Sequence, residues 1–317
     1  MALGAGFVGM GAVFSKIALD SFSPFYFSGL RFLSDGIIFT TIALLNKDKL
    51  VYSPSAAKGL TVQALLQATT GISWMYALSI IDPIKSSIAF LLSPILVYVG
   101  SVVFLKETRS TVALVGSLVA MAGGLLLFGV PSPDGGESQT LANVLLLVSV
   151  VSLAALVLHA KHLLKSCSRN YILGTRFLAT GIIGLVLAFI FEDASMVFSA
   201  TGASWLGLAL SVGLSGTVAL TLFYSSLKYM RAEDSAPLFY MDPLVGVIAA
   251  TVILGDRLAL LQIGASFIVV IGVLIAHPVH MPITIFYHQE HSLSRFAHPF
   301  RWAEKEARSL FELWRRK

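Results

Sequence analysis

Four side chains that carry charge in water fall inside otherwise apolar stretches of this chain: Arg31, Asp35, Arg176 and Asp242. A charge in hydrocarbon costs about 2.5 to 3.5 kcal/mol on insertion scales, so each should face a partner or a water-filled cavity. Arg31 and Asp35 are one helical turn apart, a spacing that lets them pair with each other as well as with a solute. Arg176 has Thr180 at the same spacing and must find a carbonyl, a water or a more distant carboxylate. Each arginine can also snorkel toward an interface. Asp242 directly precedes Pro243, whose missing N–H interrupts the carbonyl ladder. It can cap or bridge that interruption, pair with Arg176, or exchange a proton coupled to transport. Lys85, just after Asp82-Pro83, can attract an anion or snorkel. Among uncharged groups, Gln67, Tyr98, Thr217 and Tyr240 are the binding candidates, because an aromatic cavity with a few hydroxyls and an amide suits a mixed polar and apolar metabolite. Trp74 and Tyr76, close to a helix end, are expected in an interfacial aromatic belt.

The elements that carry these groups are written twice. Lys16 is followed fifteen residues later by Arg31-Phe32, and Lys161 fifteen residues later by Arg176-Phe177; Ser93-Pro94…Leu105-Lys106-Glu107 is echoed by Asp242-Pro243…Leu254-Gly255-Asp256. A duplicated hydrophobic unit is a mark of membrane transporters. The copies differ where it matters chemically, since Asp242 stands where the first copy has Ser93.

With 56% hydrophobic and 12% charged residues and a mean hydropathy of +0.83, the chain of 317 residues has too little polar surface to coat a water-soluble globule. Its single cysteine, Cys167, excludes an intramolecular disulfide. The net charge of +5 fits basic cytoplasmic loops rather than nucleic acid, and no nucleic-acid partner is expected. No nucleotide-binding loop, HExxH, GxSxG or paired-aspartate motif occurs, so neither direct ATP drive nor an enzyme is expected, and no cofactor or metal.

Ten segments are apolar enough to cross roughly 30 Å of hydrocarbon at about 20 residues each: 2–19, 24–45, 57–80, 83–104, 110–129, 140–163, 169–191, 202–227, 235–254 and 258–276. With the N-terminus inside, one side holds Lys47, Lys49, Lys58, Lys106, Arg109, Lys161, Lys165, Arg169, Lys228, Arg231 and the basic tail, and the other only Lys16, Lys85 and Arg257. Five helices per copy is an odd number, so the second copy should enter the membrane upside down. The expected fold is an all-α integral membrane protein of ten transmembrane helices in two inverted five-helix repeats, 1–130 and 140–276. A basic tail, 277–317, follows. In that tail Phe296, Phe300, Ala303, Ala307, Leu310, Phe311 and Trp314 share a helical stripe with basic residues largely elsewhere, which predicts an amphipathic helix attracted to anionic lipid. Gly116, Ala120, Gly123 and Gly124, and Gly264 with Gly272, offer small faces for close helix packing. Glu107 and Asp256 read as loop caps or gating contacts.

These features resemble the EamA-type branch of the drug/metabolite transporter superfamily. The resemblance rests on "FSKIALDSFSPFYFSGLRF" and "HAKHLLKSCSRNYILGTRF", and on "SPILVYVGSVVFLKETRSTVALVGSLVAMAGGLLLFG" with its echo "DPLVGVIAATVILGDRLALLQIGASFIVVIGVLIA". It covers residues 1 to 276 and implies a ten-helix carrier of small metabolites or amino acids, with a cavity between two five-helix bundles. The chain is thus read as a secondary transporter working by alternating access, in a plasma or inner membrane with both termini cytoplasmic. Its partners would be a small-molecule solute, membrane lipid and coupling protons. Two rivals are an organophosphate or nucleotide-sugar exchanger using Arg31, Arg176 and Lys85 as phosphate ligands, and a membrane scaffold.

Overall fold

The computed structural model describes residues 2–48, 54–104, 111–128, 137–227, 241–255 and 260–276. Tyr240, Glu107, Asp256 and the tail with its expected amphipathic helix lie outside them. Among the described residues every regular element is helical. In chain order the long rods are α1 (Ala2–Ala18), α2 (Pro24–Leu45) and α3 (Pro54–Ile80); then α4, built of Pro83–Ala89, a tight 3-10 turn Phe90–Leu92 and Ser93–Phe104; then α5 (Thr111–Phe128), α6 (Glu137–Leu163) and α7 (Arg169–Phe191). After a short turn at Ser195–Phe198 comes α8, in which Gly202–Leu210 and Ala219–Leu227 flank a widened π segment, Ser211–Val218. Next is α9, Met241–Ala249 followed by a π segment Ala250–Leu254, and finally α10 (Leu260–Ala276).

Local chemistry accounts for the limits. Pro24, Pro54 and Pro83 each open a helix at its first position, where the missing N–H would be unpaired anyway. Pro94 cannot bond back to the carbonyl four residues earlier, and α4 tightens at that point, Phe90–Leu92. Gly255 ends α9 in the left-handed region at φ 72°, a conformation that costs glycine nothing.

Among the described residues four helical segments are long and apolar enough to cross a membrane by length and composition: Pro24–Leu45, Ser138–Leu163, Arg169–Phe191 and Gly202–Ser226. Leu44, Leu147, Phe189 and Phe191 on these segments are exposed, so the outer surface is apolar rather than polar. That is the surface lipid requires. The α3 rod is as long, but it carries Lys58, Gln63, Gln67 and Thr70, and its amides point inward: Gln63 and Gln67 are buried.

The most extensive packing runs between α2 and α7. A Cβ placed on Gly29 would meet Leu185, on Gly36 the backbone of Leu178, on Gly181 the backbone of Leu33, and on Gly174 Thr40. Partners on α7 fall in number as those on α2 rise, so the two helices run antiparallel with their backbones in close approach. The ends of the pair are tied. Glu192, just past α7, accepts from Ser23 Oγ (2.7 Å) and from the backbone N–H groups of Phe25 and Tyr26 (both 2.8 Å) at the start of α2. At the other end Asp48, just past α2, accepts from Ser168 Oγ and Asn170 Nδ2, each at 3.0 Å, at the start of α7. Elsewhere α5 packs on α10, α3 on α6 and α1 on α9. Gly272 lies against Gly116 and Ala120, as the small-residue faces suggested, while the Gly264 position has no near neighbour.

Candidate functional site

The α2–α7 crossing carries Phe32 and Phe177 stacked on each other, 5.6 Å between ring centroids and 7° between planes. Beside this stack is a cavity of about 140 Å³. Every rod from α1 to α4 and from α6 to α9 contributes to its wall, and among the described residues none of the lining comes from α5 or α10.

Both inner arginines line it and neither snorkels: Arg31 is 7% and Arg176 2% exposed. Their settings correspond. The Arg31 guanidinium lies over Trp74 of α3 (5.4 Å) and donates to Ser215 Oγ of α8 (3.4 Å). The Arg176 guanidinium lies over Tyr224 of α8 (4.9 Å), donates to Tyr224 Oη (2.8 Å), and reaches Gln63 Oε1 of α3 (3.4 Å). Each therefore touches an aromatic ring from the same half of the chain and a polar group from the other half. Cation–π contact substitutes for part of the lost hydration. It does not satisfy the hydrogens: Arg31 Nε and Nη1 and Arg176 Nε are buried without hydrogen-bond partners.

The pairing of Arg31 with Asp35 that their spacing permits is not formed as a direct contact. Asp35 Oδ1 instead accepts from Thr217 Oγ1 of α8 (3.4 Å), and Asp35 Oδ2 has no hydrogen-bond partner. The cause is local. The aromatic faces of Phe32 and Trp74 together with Ser215 hold the guanidinium, while the π segment of α8 brings Gly216 and Thr217 against the carboxylate. A widened turn of this kind exposes backbone and side chains that a regular α-helix would pack away. Gly216 is needed there because a Cβ would overlap Asp35, and Gly71 because a Cβ would sit 2.5 Å from the Phe32 ring.

Of the remaining sequence candidates, Asp242 and Gln67 line the cavity. Asp242 is half-buried in the first described turn of α9, and no hydrogen bond or ion pair to it is found among the described residues. It does not pair with Arg176. Thr217 acts through Asp35 rather than on the lining itself. Lys85 is half-buried in the first turn of α4 and Tyr98 is buried further along it, both away from the cavity wall. Trp74, expected in an aromatic belt, is in the wall, its Nε1 donating to Ser86 Oγ (2.7 Å); Tyr76 packs against Phe25 outside it (5.6 Å). Sequence reasoning passed over Thr70 and Phe90 as lining groups, and had no signal for the helical phase that turns them inward.

A bundle with an apolar exterior and a largely apolar cavity, walled by eight of its rods and carrying Arg31, Asp35, Arg176 and Asp242, is the architecture of a membrane transporter. The chain belongs to the EamA-like transporter family, whose model matches residues 1–129 and 140–277. Among curated relatives it is similar to a riboflavin transporter, ImpX, of Fusobacterium nucleatum, 25% identical over 186 residues, 58% of this chain and 62% of that protein; the matched part thus falls short of two thirds of its length. Two uncharacterised transporters of Bacillus subtilis also match. YetK is 27% identical over 81% of this chain and 79% of its own length, and YoaV 21% identical over 81% and 88%. A crystal structure with 17% sequence identity superposes with a TM-score of 0.65 over 86% of this chain and 97% of its own, a likeness of fold.

Proposed function

We propose that this protein is a secondary carrier that moves a small organic solute across the membrane by alternating access, with ten spans arranged as two inverted five-helix halves. The observation that carries the reading is reciprocity. Arg31 and Arg176 are 145 positions apart, and the close approach of Gly29 to Leu185 is matched 145 positions away by that of Gly174 to Thr40; Gly36 against Leu178 is matched by Gly181 against Leu33. The Phe32–Phe177 stack joins a residue to its own counterpart. Exchanging each rod for the one five places on leaves the main packing partners unchanged: α1 with α8 becomes α6 with α3, and α2 with α7 becomes itself. Because α2 and α7 are antiparallel, this exchange inverts one half relative to the other. Two halves related in this way can trade shapes and so open one cavity to either side in turn.

A cavity that gathers four ionisable side chains argues against a scaffold, and Lys85, away from it, weakens the phosphate-exchanger reading. Riboflavin, named for one relative, is a tricyclic ring system with a sugar-alcohol chain, and a cavity of about 140 Å³ in this conformation has room for about five waters at liquid density. The carrier reading therefore rests on a smaller solute. We assign Asp242 to proton coupling, because it lines the cavity without a basic partner among the described residues. In proteoliposomes with a pH gradient, Asp242→Asn should abolish gradient-driven accumulation while solute counterflow persists. Unchanged dependence on the gradient would remove Asp242 from the coupling step, and absence of any counterflow by the unaltered protein across a panel of small metabolites would overturn the carrier reading.

A further inference from the structure

Resting on that carrier reading, we infer that the solute is a small organic carboxylate with a flat apolar body, bound with its carboxylate between Arg31 and Arg176. The unmade hydrogen bonds indicate the ligand's charge. Among the described residues Arg31 Nε and Nη1 and Arg176 Nε are buried donors with no acceptor, although the rest of each guanidinium is held by an aromatic face and a neutral oxygen. Buried polar groups without partners are costly and mark a place where something else completes the bonding. A guanidinium can only donate, so the missing partner is an acceptor, and a planar carboxylate matches its fork.

Charge points the same way. Asp35, one turn from Arg31, offsets that cation through space, but Thr180 in the equivalent place beside Arg176 donates to the Arg176 carbonyl (2.9 Å) and brings no charge. Of the two acids that line the cavity, Asp35 accepts from Thr217 through one oxygen, and Asp242 comes from α9, where α1 and α4 pack. Arg176 is the cation with no acid one turn away on its own helix. The shape of the site supplies the other half of the description. The stacked Phe32 and Phe177 rings, with Trp74 and Tyr224 over the two cations, form flat apolar walls. At about 140 Å³ the cavity admits a single ring with a carboxylate rather than an extended solute. A cationic solute of the same shape offers the guanidinium hydrogens no acceptor, and a neutral amide offers one uncharged carbonyl in place of the carboxylate fork.

Trp74 supplies a built-in reporter. In full-length protein carrying W205F, W302F and W314F, the remaining indole is in the cavity wall, and its fluorescence can be titrated with benzoate, benzamide, benzylamine and phenyl phosphate. The expected result is saturable quenching by benzoate, at least tenfold weaker binding of benzamide and benzylamine, and at least tenfold loss of benzoate affinity in both Arg176→Lys and Arg176→Gln; the lysine variant keeps the charge and loses the fork. Arg31→Lys provides the same test should the Arg176 variants not fold. Equal binding of benzamide, preferred binding of benzylamine or phenyl phosphate, or benzoate affinity indifferent to every arginine variant would overturn the carboxylate assignment. Counterflow of some other solute by the same preparation would leave the carrier reading standing, so the two failures are distinguishable.

Discussion

The first and second halves of this chain place the same dipeptide, Arg-Phe, at the same crossing and then surround it differently. Arg31 has Asp35 one turn away; Arg176 has Thr180. Arg31 is held by Trp74 and Ser215, Arg176 by Tyr224 and Gln63. The repeated Arg-Phe thus places two buried cations at one crossing, and only the first has an acid on its own helix turn. The first half can keep its cation with no solute present. The second half keeps a cation with no acid on its own helix turn, which is the arrangement expected of a binding group rather than of a structural one.

The largest disruption should come where the halves share backbone contact. Replacing Gly181 by Leu drives a side chain into the Leu33 backbone, and Gly36→Leu does the same at Leu178. Each should cost about 3 kcal/mol, the upper end for overpacking, seen as a lowered unfolding midpoint in detergent. Nearly equal losses at the two sites are expected if the crossing is shared evenly.

The arginines themselves should then part company. Arg31→Gln strands the Asp35 carboxylate in a buried site and should destabilise by about 3 kcal/mol, recovered in large part by adding Asp35→Asn. Arg176→Gln removes a cation with no acid one turn away and breaks its bonds to Tyr224 and Gln63, so stability should fall by about 1 to 2 kcal/mol, less than for Arg31→Gln. Thermal unfolding of the three variants checks this, and equal destabilisation by both single changes would erase the distinction between the halves. A gain-of-similarity variant sharpens it further. Thr180→Asp gives the second half the acid of the first and should weaken benzoate binding about tenfold, about 1.4 kcal/mol, with the fold intact.

The smallest effects belong to the helix starts. Ser168 caps α7 by accepting from the Tyr171 N–H (3.2 Å), whereas at the start of α2 the Phe25 and Tyr26 N–H groups are taken by Glu192 and Ser23 only donates to it. Ser168→Ala should cost about 1 kcal/mol, and Ser23→Ala less, measured by the same unfolding midpoints.

Much of this was legible in the residues because it is either local or repeated. Proline and glycine punctuation set the rod limits, and the echo of Lys16…Arg31-Phe32 in Lys161…Arg176-Phe177 marked the two cations before any coordinates were known. The cavity wall was legible only in part. Four-residue spacing permitted an Arg31–Asp35 pair, but the choice between that pair and the Trp74 and Ser215 contacts depends on where α3 and α8 pass, which spacing along α2 does not specify. The phase of α3 likewise hid Trp74, whose position near a helix end suits an interface as well as a cavity. The ties of Glu192 to Ser23 and Asp48 to Ser168 join residues more than a hundred positions apart. Their one sequence trace is the duplication itself: a serine opens each of the two helices, and an acid follows the end of its partner.

The central claim is that one cavity between the halves opens to both sides in turn, and it can be tested without knowing the solute. With the buried Cys167 replaced by alanine, a single cysteine placed at Ser87 in the cavity wall would be challenged in oriented membranes with a membrane-impermeant thiol reagent added from one side or the other. The account predicts labelling from each side, with lipid-facing control positions unreactive. Labelling from a single side only, or from neither, would contradict it.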